Sequence, residues 1–370
     1  MSDTYAAQLR MIGASAADFA MREGGPAVAR AVHEGRAACE RAAWKRIADL
    51  GWFGIAVAEA HGGLGLFAPA AAVVAQEAGR ALMMPPVTLG MAACAVLAAA
   101  GDGQATLETA MAGDALVAMA RVVPAAPAGE ERQDAMLVPD TGAATHFLLG
   151  KGTGAAFEAR LVARGAPDTE CASRIAVDGS ALTDVRVGAS AWRNAALMLR
   201  GEPGWRAWRQ GMNLLWLLDA AYLCGLTEAA LDLALEYMRL RRQFGVPIGS
   251  FQALQHRAAT CHVDSRASRA LVHEAARAWG GRREAWAAAA ARHRAAASAL
   301  RVTKEVIQFH GAIGFADEHD AGLYLRRAMT VGACHQDDVR LALVATANQD
   351  LDPDANPHLD TNPITAGIAA

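Results

Sequence analysis

Apolar positions along this chain change texture twice. From residue 4 to about 112 they follow alanine-rich helical spacing, divided by the turn signals Gly24–Gly25, Gly62–Gly63 and Pro85–Pro86. Between about Leu116 and Val187 they gather into short runs of β type: Leu116–Val123, Met136–Val138, His146–Gly150, Arg160–Arg164, Arg174–Val177 and Leu182–Val187. From about Trp205 to Asp350 long stripes at i, i+3, i+4, i+7 return, in Leu214–Arg239, Ser250–Trp279, Arg283–Ile307 and Leu323–Asn348. The pattern predicts an α+β fold that is mostly α: an N-terminal all-α domain over 1–115, a reduced β-domain over 116–195 and a C-terminal four-helix bundle over 196–350. Residues 351–370 have prolines but no periodicity, which reads as a loosely ordered tail.

One stretch of the third region carries chemistry as well as structure. Leu226, Ala229, Ala230, Leu233, Ala234, Tyr237 and Leu240 form one stripe on a helix that ends in Arg241 and Arg242, after which Gly245, Pro247 and Gly249 break it. A further helix is expected from Ser250, with the serine as its N-cap.

Arg241-Arg-Gln-Phe-Gly245 followed by Pro247-Ile-x-x-Phe-Gln252 resembles the acyl-CoA dehydrogenases, flavoproteins that oxidise an acyl-CoA thioester to its α,β-unsaturated form. Gln308-Phe-His-Gly-Ala-Ile-Gly-Phe315 resembles that family's Gln-x-x-Gly-Gly-x-Gly-Phe/Tyr turn. Trp44–Glu59, the glycine-rich His61–Leu66 and Glu77–Leu82 before Pro85-Pro86 are similar to its N-terminal signature and next helix end. The glycines in these stretches read equally as helix ends.

The resemblance implies a cofactor, FAD, and a role for each motif. Arg241, Gln243 and Phe244 would meet the pyrophosphate and adenosine half of a FAD held by a neighbouring subunit, a task that suits the planar guanidinium fork. Gln308, Gly311 and Ala312 would lie at the turn where backbone approaches the same half, with Ala312 standing for the family's second glycine. Arg241 is equally well placed as a helix C-terminal cation.

Three departures from the family pattern bear on function. The segment between Arg121 and Met136 is short and lacks a Gly-Ser-Asp turn, and the strand positions expected to touch flavin are Met136 and Val138, of which valine offers no hydrogen bond. The family's glutamate base, placed 27 residues after the motif glutamine, is replaced by His335. The base position of a second lineage falls on Leu215, with Asp219 one turn later on the same helix. Imidazole is a competent base near neutrality. A histidine beside Ala333 and Cys334 also reads as a packed core residue. Asp337 and Asp338 stand where the family has small and hydroxyl residues near the FAD phosphates, and carboxylates there would repel a diphosphate.

Three readings follow. The chain is the base-lacking subunit of a heteromeric (α2β2) acyl-CoA dehydrogenase, of the kind the family includes in bacterial steroid side-chain degradation, completing the FAD site of a glutamate-bearing paralogue. Alternatively it is a self-sufficient homo-oligomer using His335, or a non-catalytic acyl-CoA-binding scaffold. In the first two, electrons pass to an acceptor such as an electron-transfer flavoprotein.

Composition narrows the remaining classes. The chain has 370 residues, 53% hydrophobic and 20% charged, enough for a sizeable core. A net charge of −3 gives no global attraction to nucleic acid, and the arginines of Arg282–Arg301 read as a solvated helix face. Six cysteines without metal-ligand spacing argue against structural zinc and read as reduced, mostly buried thiols. No apolar run reaches membrane-helix length and no signal-peptide layout opens the chain, so a cytoplasmic protein without membrane contact is expected.

Overall fold

A computed structural model describes residues 3–37, 41–101, 103–121, 123–124, 133–139 and 142–350. Six helices come first: α1 (Asp3–Glu23), α2 (Pro26–His33), α3 (Arg41–Asp49), α4 (Phe67–Arg80), α5 (Val87–Ala98) and α6 (Gln104–Met111). Strands β1 (Val117–Arg121), β2 (Val123–Pro124), β3 (Gln133–Pro139), β4 (His146–Lys151), β5 (Glu158–Ala163), β6 (Thr169–Ile175), β7 (Ala181–Val187) and β8 (Ala196–Arg200) follow, with a short helix, α7 (Ala189–Asn194), before the last. Helix α8 (Gly201–Leu240) leads through a miniature hairpin, β9 (Arg242–Gln243) and β10 (Val246–Pro247), to α9 (Gln252–Arg277), α10 (Glu284–His310), α11 (Ala321–Ala333) and α12 (Gln336–Asp350). The mostly helical α+β architecture expected from the pattern is observed, with every described strand except the miniature hairpin β9–β10 lying between Val117 and Arg200.

The chain forms two compact units that interleave along the sequence. Of the described residues, one unit draws on those within 1–17, 75–82 and 216–350, the other on those within 18–74 and 83–215. In the second unit, Trp44 and Phe53 stack at 4.1 Å between ring centroids, Phe19 meets Trp52 edge-on at 5.1 Å, and Gly90 brings α5 against the first pair. Two four-stranded sheets complete it, ordered β1-β4-β5-β8 and β2-β3-β7-β6. Among the described strands, only β1 and β4 run parallel, with Val117 opposite His146. The apolar run Phe147-Leu-Leu149 is buried, as a strand covered on both faces requires.

The first unit is a helical bundle in which α10 packs against α9, α11 and α12. Within it α4 crosses α8 almost backbone to backbone. A Cβ added at Gly79 would fall inside the radius of the Tyr222 carbonyl oxygen, and one added at Gly225 would do the same to the Gln76 carbonyl. Gly79 is thus a packing residue rather than a helix end. Beside the crossing, Glu228 accepts from Arg269 at 3.2 Å and from Arg80 and Gln76 at 3.4 Å, while Arg80 reaches Asp232 at 2.5 Å. The most apolar window of α8 is 89% buried, the burial of a core helix.

Several details depart from expectation for identifiable reasons. The buried face of α8 near its end is Leu226, Ala230, Leu231, Ala234 and Met238, and Leu240 is 72% exposed. Ser250 does not cap α9, because its hydroxyl donates to the Pro247 carbonyl at 2.7 Å and the N-cap is Phe251. The stripe Leu323–Asn348 is two helices, broken at Cys334–His335 without glycine or proline. Strand β8, Ala-Leu-Met-Leu-Arg, carries no β-branched residue and gave no strand signal. Strand β6 begins five residues before the run Arg174–Val177, since as an almost fully exposed edge it needs no apolar alternation. No cysteine among the described residues is in a disulfide; Cys94, Cys224 and Cys261 are buried and Cys171 is exposed. The tail, Cys39 and most of the segment from Val122 to Arg132 lie outside the described residues.

The glycine crossing is open to test. Gly79→Ala or Gly225→Ala should each destabilise the protein by about 1–3 kcal/mol through overpacking, read as a lower urea midpoint with an unchanged slope. Gly25→Ala, at a position where an added Cβ meets nothing but φ is 96°, isolates the cost of backbone strain alone.

Candidate functional site

Chemistry-bearing residues gather at two places in the first unit. The first is the pair of turns that end α8 and α10. Gln243 faces Val246 across the miniature hairpin, leaving Phe244 (φ 52°) and Gly245 (φ 82°) as a two-residue loop with both φ values positive, the geometry of a type I′ turn. Such a φ is uncommon for a bulky residue, yet Phe244 holds it while 92% exposed. The loop is fastened by Arg242, which donates to the Gly245 carbonyl at 2.8 Å, and by the Ile248 amide, which donates to the Arg241 carbonyl at 2.8 Å.

At the end of α10, Gly311 takes φ 63° and opens a short 3-10 turn, Gly311–Phe315. Ala312 has no positive φ, so the turn does not need a glycine there; Gly314 is the position where an added Cβ would meet the Ile307 carbonyl at 2.5 Å. The two turns are joined by Tyr237, whose ring lies 4.5 Å from that of His310, which in turn meets His319 at 4.4 Å. His310 hydrogen-bonds the Val306 carbonyl through Nδ1 at 2.7 Å, and its Nε2 is buried without a partner. Burial holds its pKa below the usual histidine value, the Val306 bond opposes this, and His319 adds to the lowering.

The side chains of Arg241, Gln243 and Gln308 are all exposed and make no hydrogen bond or ion pair among the described residues. Around them Leu240, Phe244, Ile313 and Phe315 are 72%, 92%, 50% and 76% exposed. The structure thus brings the two sequence motifs together and presents their donors unpartnered within an apolar rim.

The second place is the junction between α11 and α12. His335 occupies it with φ 58°. Arg292, from the middle of α10, is 1% exposed; its Nη2 donates to the carbonyls of Val331 and, at 2.9 Å, Cys334, while its Nε lies 3.7 Å from Asp219 Oδ2 on α8. Burial lowers the His335 pKa, Asp219 works against that, and Arg292 reinforces it. Burial and Arg292 thus favour the neutral imidazole, against the pull of Asp219. Asp219 and His335, far apart in sequence, share one environment, whereas Leu215 is a buried core residue.

Arg292 corrects the reading of Arg282–Arg301 as a solvated face. That reading fits Arg282, Arg283 and Arg301, which are exposed, but not Arg292. The signal was available: three and four residues to either side of Arg292 stand Ala288, Ala289, Ala295 and Ala296, all buried. Asp337 and Asp338 open α12, where carboxylates favour a helix N-terminus without any ligand.

Residues 6–107 match the model of the acyl-CoA dehydrogenase N-terminal domain and residues 202–333 that of the acyl-CoA dehydrogenase C-terminal domain. The chain is also 31% identical over 323 residues to acyl-CoA dehydrogenase IpdE2 of Mycobacterium tuberculosis, covering 86% of this chain and 90% of that one. The chain belongs to the acyl-CoA dehydrogenase family. Among solved structures, the ChsE4-ChsE5 complex from Mycobacterium tuberculosis superposes with a TM-score of 0.79 at 21% identity, covering 95% of this chain and 98% of that one. Butyryl-CoA dehydrogenase from Megasphaera elsdenii does so at 0.77 and 20% identity, covering 94% and 99%. At these identities the structures establish the shared fold.

The family uses FAD. The free Arg241 guanidinium and the Gln243 and Gln308 amides fit the phosphate and adenosine half of that cofactor, as a donor set should. The ring end fits less well: Val138 is apolar and 1% exposed, turned into the protein interior, and β3 slips register between Ala135 and Val138. The side chain of Met136 lies outside the described residues.

The histidines set a pH dependence. His146, His273, His310 and His335 all have pKa values below 6.5, chiefly through burial. Below pH 6.5 the unfolded chain binds protons that the folded chain refuses, so stability is fully present above that pH and falls as pH drops through it. Denaturation midpoints should therefore decline on acidification, and His310→Gln should remove part of the decline.

Proposed function

We propose that this chain is a subunit of an FAD-dependent acyl-CoA dehydrogenase and completes the FAD site of a partner chain. The observation that carries the reading is the pair of joined turns whose Arg241, Gln243 and Gln308 donors are exposed and unpartnered, with Phe244 and Phe315 standing out beside them. A buried cofactor of the same chain would need these donors turned inward. A cofactor arriving on another chain needs them as they are.

FAD, when bound, accepts the hydride that leaves the β-carbon of the acyl thioester. In this reading the Arg241 fork binds diphosphate oxygens, the two amides orient the adenosine half, and the aromatic rim excludes water once the chains meet. The glutamate base and the ring-holding strand come from the partner, a glutamate-bearing paralogue in an α2β2 assembly. The absence of glutamate at His335 and Leu215 and the inward, apolar Val138 support that division. So does the existence of a two-component relative of the same fold, the ChsE4-ChsE5 complex.

Expressed alone, the chain should purify almost colourless, and co-expression with a glutamate-bearing paralogue should give a yellow complex. Arg241→Ala in that complex should weaken FAD binding by about 10- to 150-fold, the worth of a hydrogen bond to a charged group. One FAD per chain in the protein purified alone would overturn the proposal.

One observation favours a second reading, a homomer with His335 as base: burial favours its neutral form, and Asp219 and Arg292 act on it from α8 and α10. It requires flavin reduction by an acyl-CoA in the homomer, lost in His335→Ala.

A further inference from the structure

The junction that carries His335 is tied down from four directions. Arg292 binds the Val331 carbonyl, which also accepts the Cys334 amide at 3.3 Å, and the carbonyl of Cys334, the residue that caps α11. Cys334 Sγ bonds the Thr330 carbonyl at 3.2 Å, Gln336 Nε2 donates to the Gly332 carbonyl at 3.0 Å, and the Val339 amide donates to the His335 carbonyl at 3.0 Å. Of these only Arg292 comes from outside the two helices being joined. It is also the costly one, because a guanidinium 1% exposed must be compensated. The compensation is Asp219, 6% exposed, on the face of α8 that carries Tyr222 one turn later.

We propose that the buried Asp219–Arg292 pair is a positioning device for His335, fastening the α11–α12 junction to α8 and α10 and thereby fixing where the imidazole is held. The inference rests on the second functional reading, in which His335 is the base. Neither Asp219 nor Arg292 need touch substrate. Arg292 grips the carbonyl of the residue immediately before His335, and a backbone at φ 58° is a conformation that a histidine adopts only when its surroundings hold it there. Asp219 holds the guanidinium by charge, leaving Nη2 for the two carbonyls. The charges acting on the imidazole are therefore opposite in sign and come from different helices, Asp219 from α8 and Arg292 from α10. Removing either one leaves the other unbalanced.

That imbalance provides the test. Histidine-labelled full-length protein is titrated by NMR and the His335 signal, assigned by its loss in His335→Ala, is followed through pH. Arg292→Met should move the His335 midpoint upward, because a repelling cation is gone and the carboxylate remains. Asp219→Asn should move it downward, and Arg292→Lys, which keeps the charge but not the two-carbonyl grip, should restore most of the wild-type midpoint while broadening the signal. A role confined to packing would leave the midpoint where it is. If Arg292→Met does not fold, Asp219→Asn alone decides, since its shift has the opposite sign. Midpoints unchanged in every variant that folds would overturn the proposal whatever the turnover. A homomer that keeps its activity in His335→Ala would instead sink the base reading while the titration shifts stand.

Discussion

The contact on which the bundle unit depends is the crossing of α4 and α8 at Gly79 and Gly225. Two helix backbones approach there until each glycine lies under the other helix's carbonyl, a distance no side chain permits. Close approach fixes the rotation of α8 about its own axis, and that rotation decides which neighbours its side chains meet. Asp219 and Tyr222 are directed to Arg292 and Arg327, and Glu228 to Arg80, Gln76 and Arg269. The same helix ends at the Arg241 turn, so the exposed donors inherit their position from a packing contact several turns away.

The interior that results is unusually charged. Arg292 and Arg327 are 1% and 3% exposed, one against Asp219 and helix-end carbonyls, the other donating to the Tyr222 hydroxyl at 3.1 Å with its guanidinium 5.3 Å from the ring. Replacing such groups by apolar ones often stabilises a protein, whereas deleting one partner does not. Their value lies in directionality: a hydrogen-bonded guanidinium admits one arrangement of the helices around it, where leucines would admit several.

Helix-rich ends, a strand-rich middle and the two motif turns were all legible in the sequence, because period and turn chemistry are local properties. What escaped was set by tertiary context. Strand β8 is made of good helix formers, and only pairing with β5 makes it extended. The break at His335 is announced only by Gly332, inside α11, and the clamp from α10 holds it. Arg292 was hidden by reading an arginine-rich segment by composition, when its four alanine neighbours mark it as a member of the buried stripe. For the candidate site, the sequence names Arg241, Gln243, Phe244, Gln308, Gly311 and Ala312 as candidates, but nothing in it shows that Tyr237 and His310 join their turns. Gly314, rather than the position of Ala312, proves to be the tightly packed residue of that turn.

The Phe244 turn has a further consequence for how this surface meets anything at all. A bulky residue at positive φ costs on the order of 1–3 kcal/mol, and the strain is present whether or not a second chain is near. The loop therefore enters an encounter already shaped. The backbone of the loop is already shaped, so covering it spares that ordering, while the exposed Phe244 side chain still gives up roughly 0.5–1.5 kcal/mol of freedom when immobilised. Rigidity before contact favours fast, specific docking over adaptability: a surface built this way selects a partner of matching shape and does not remould itself to fit another.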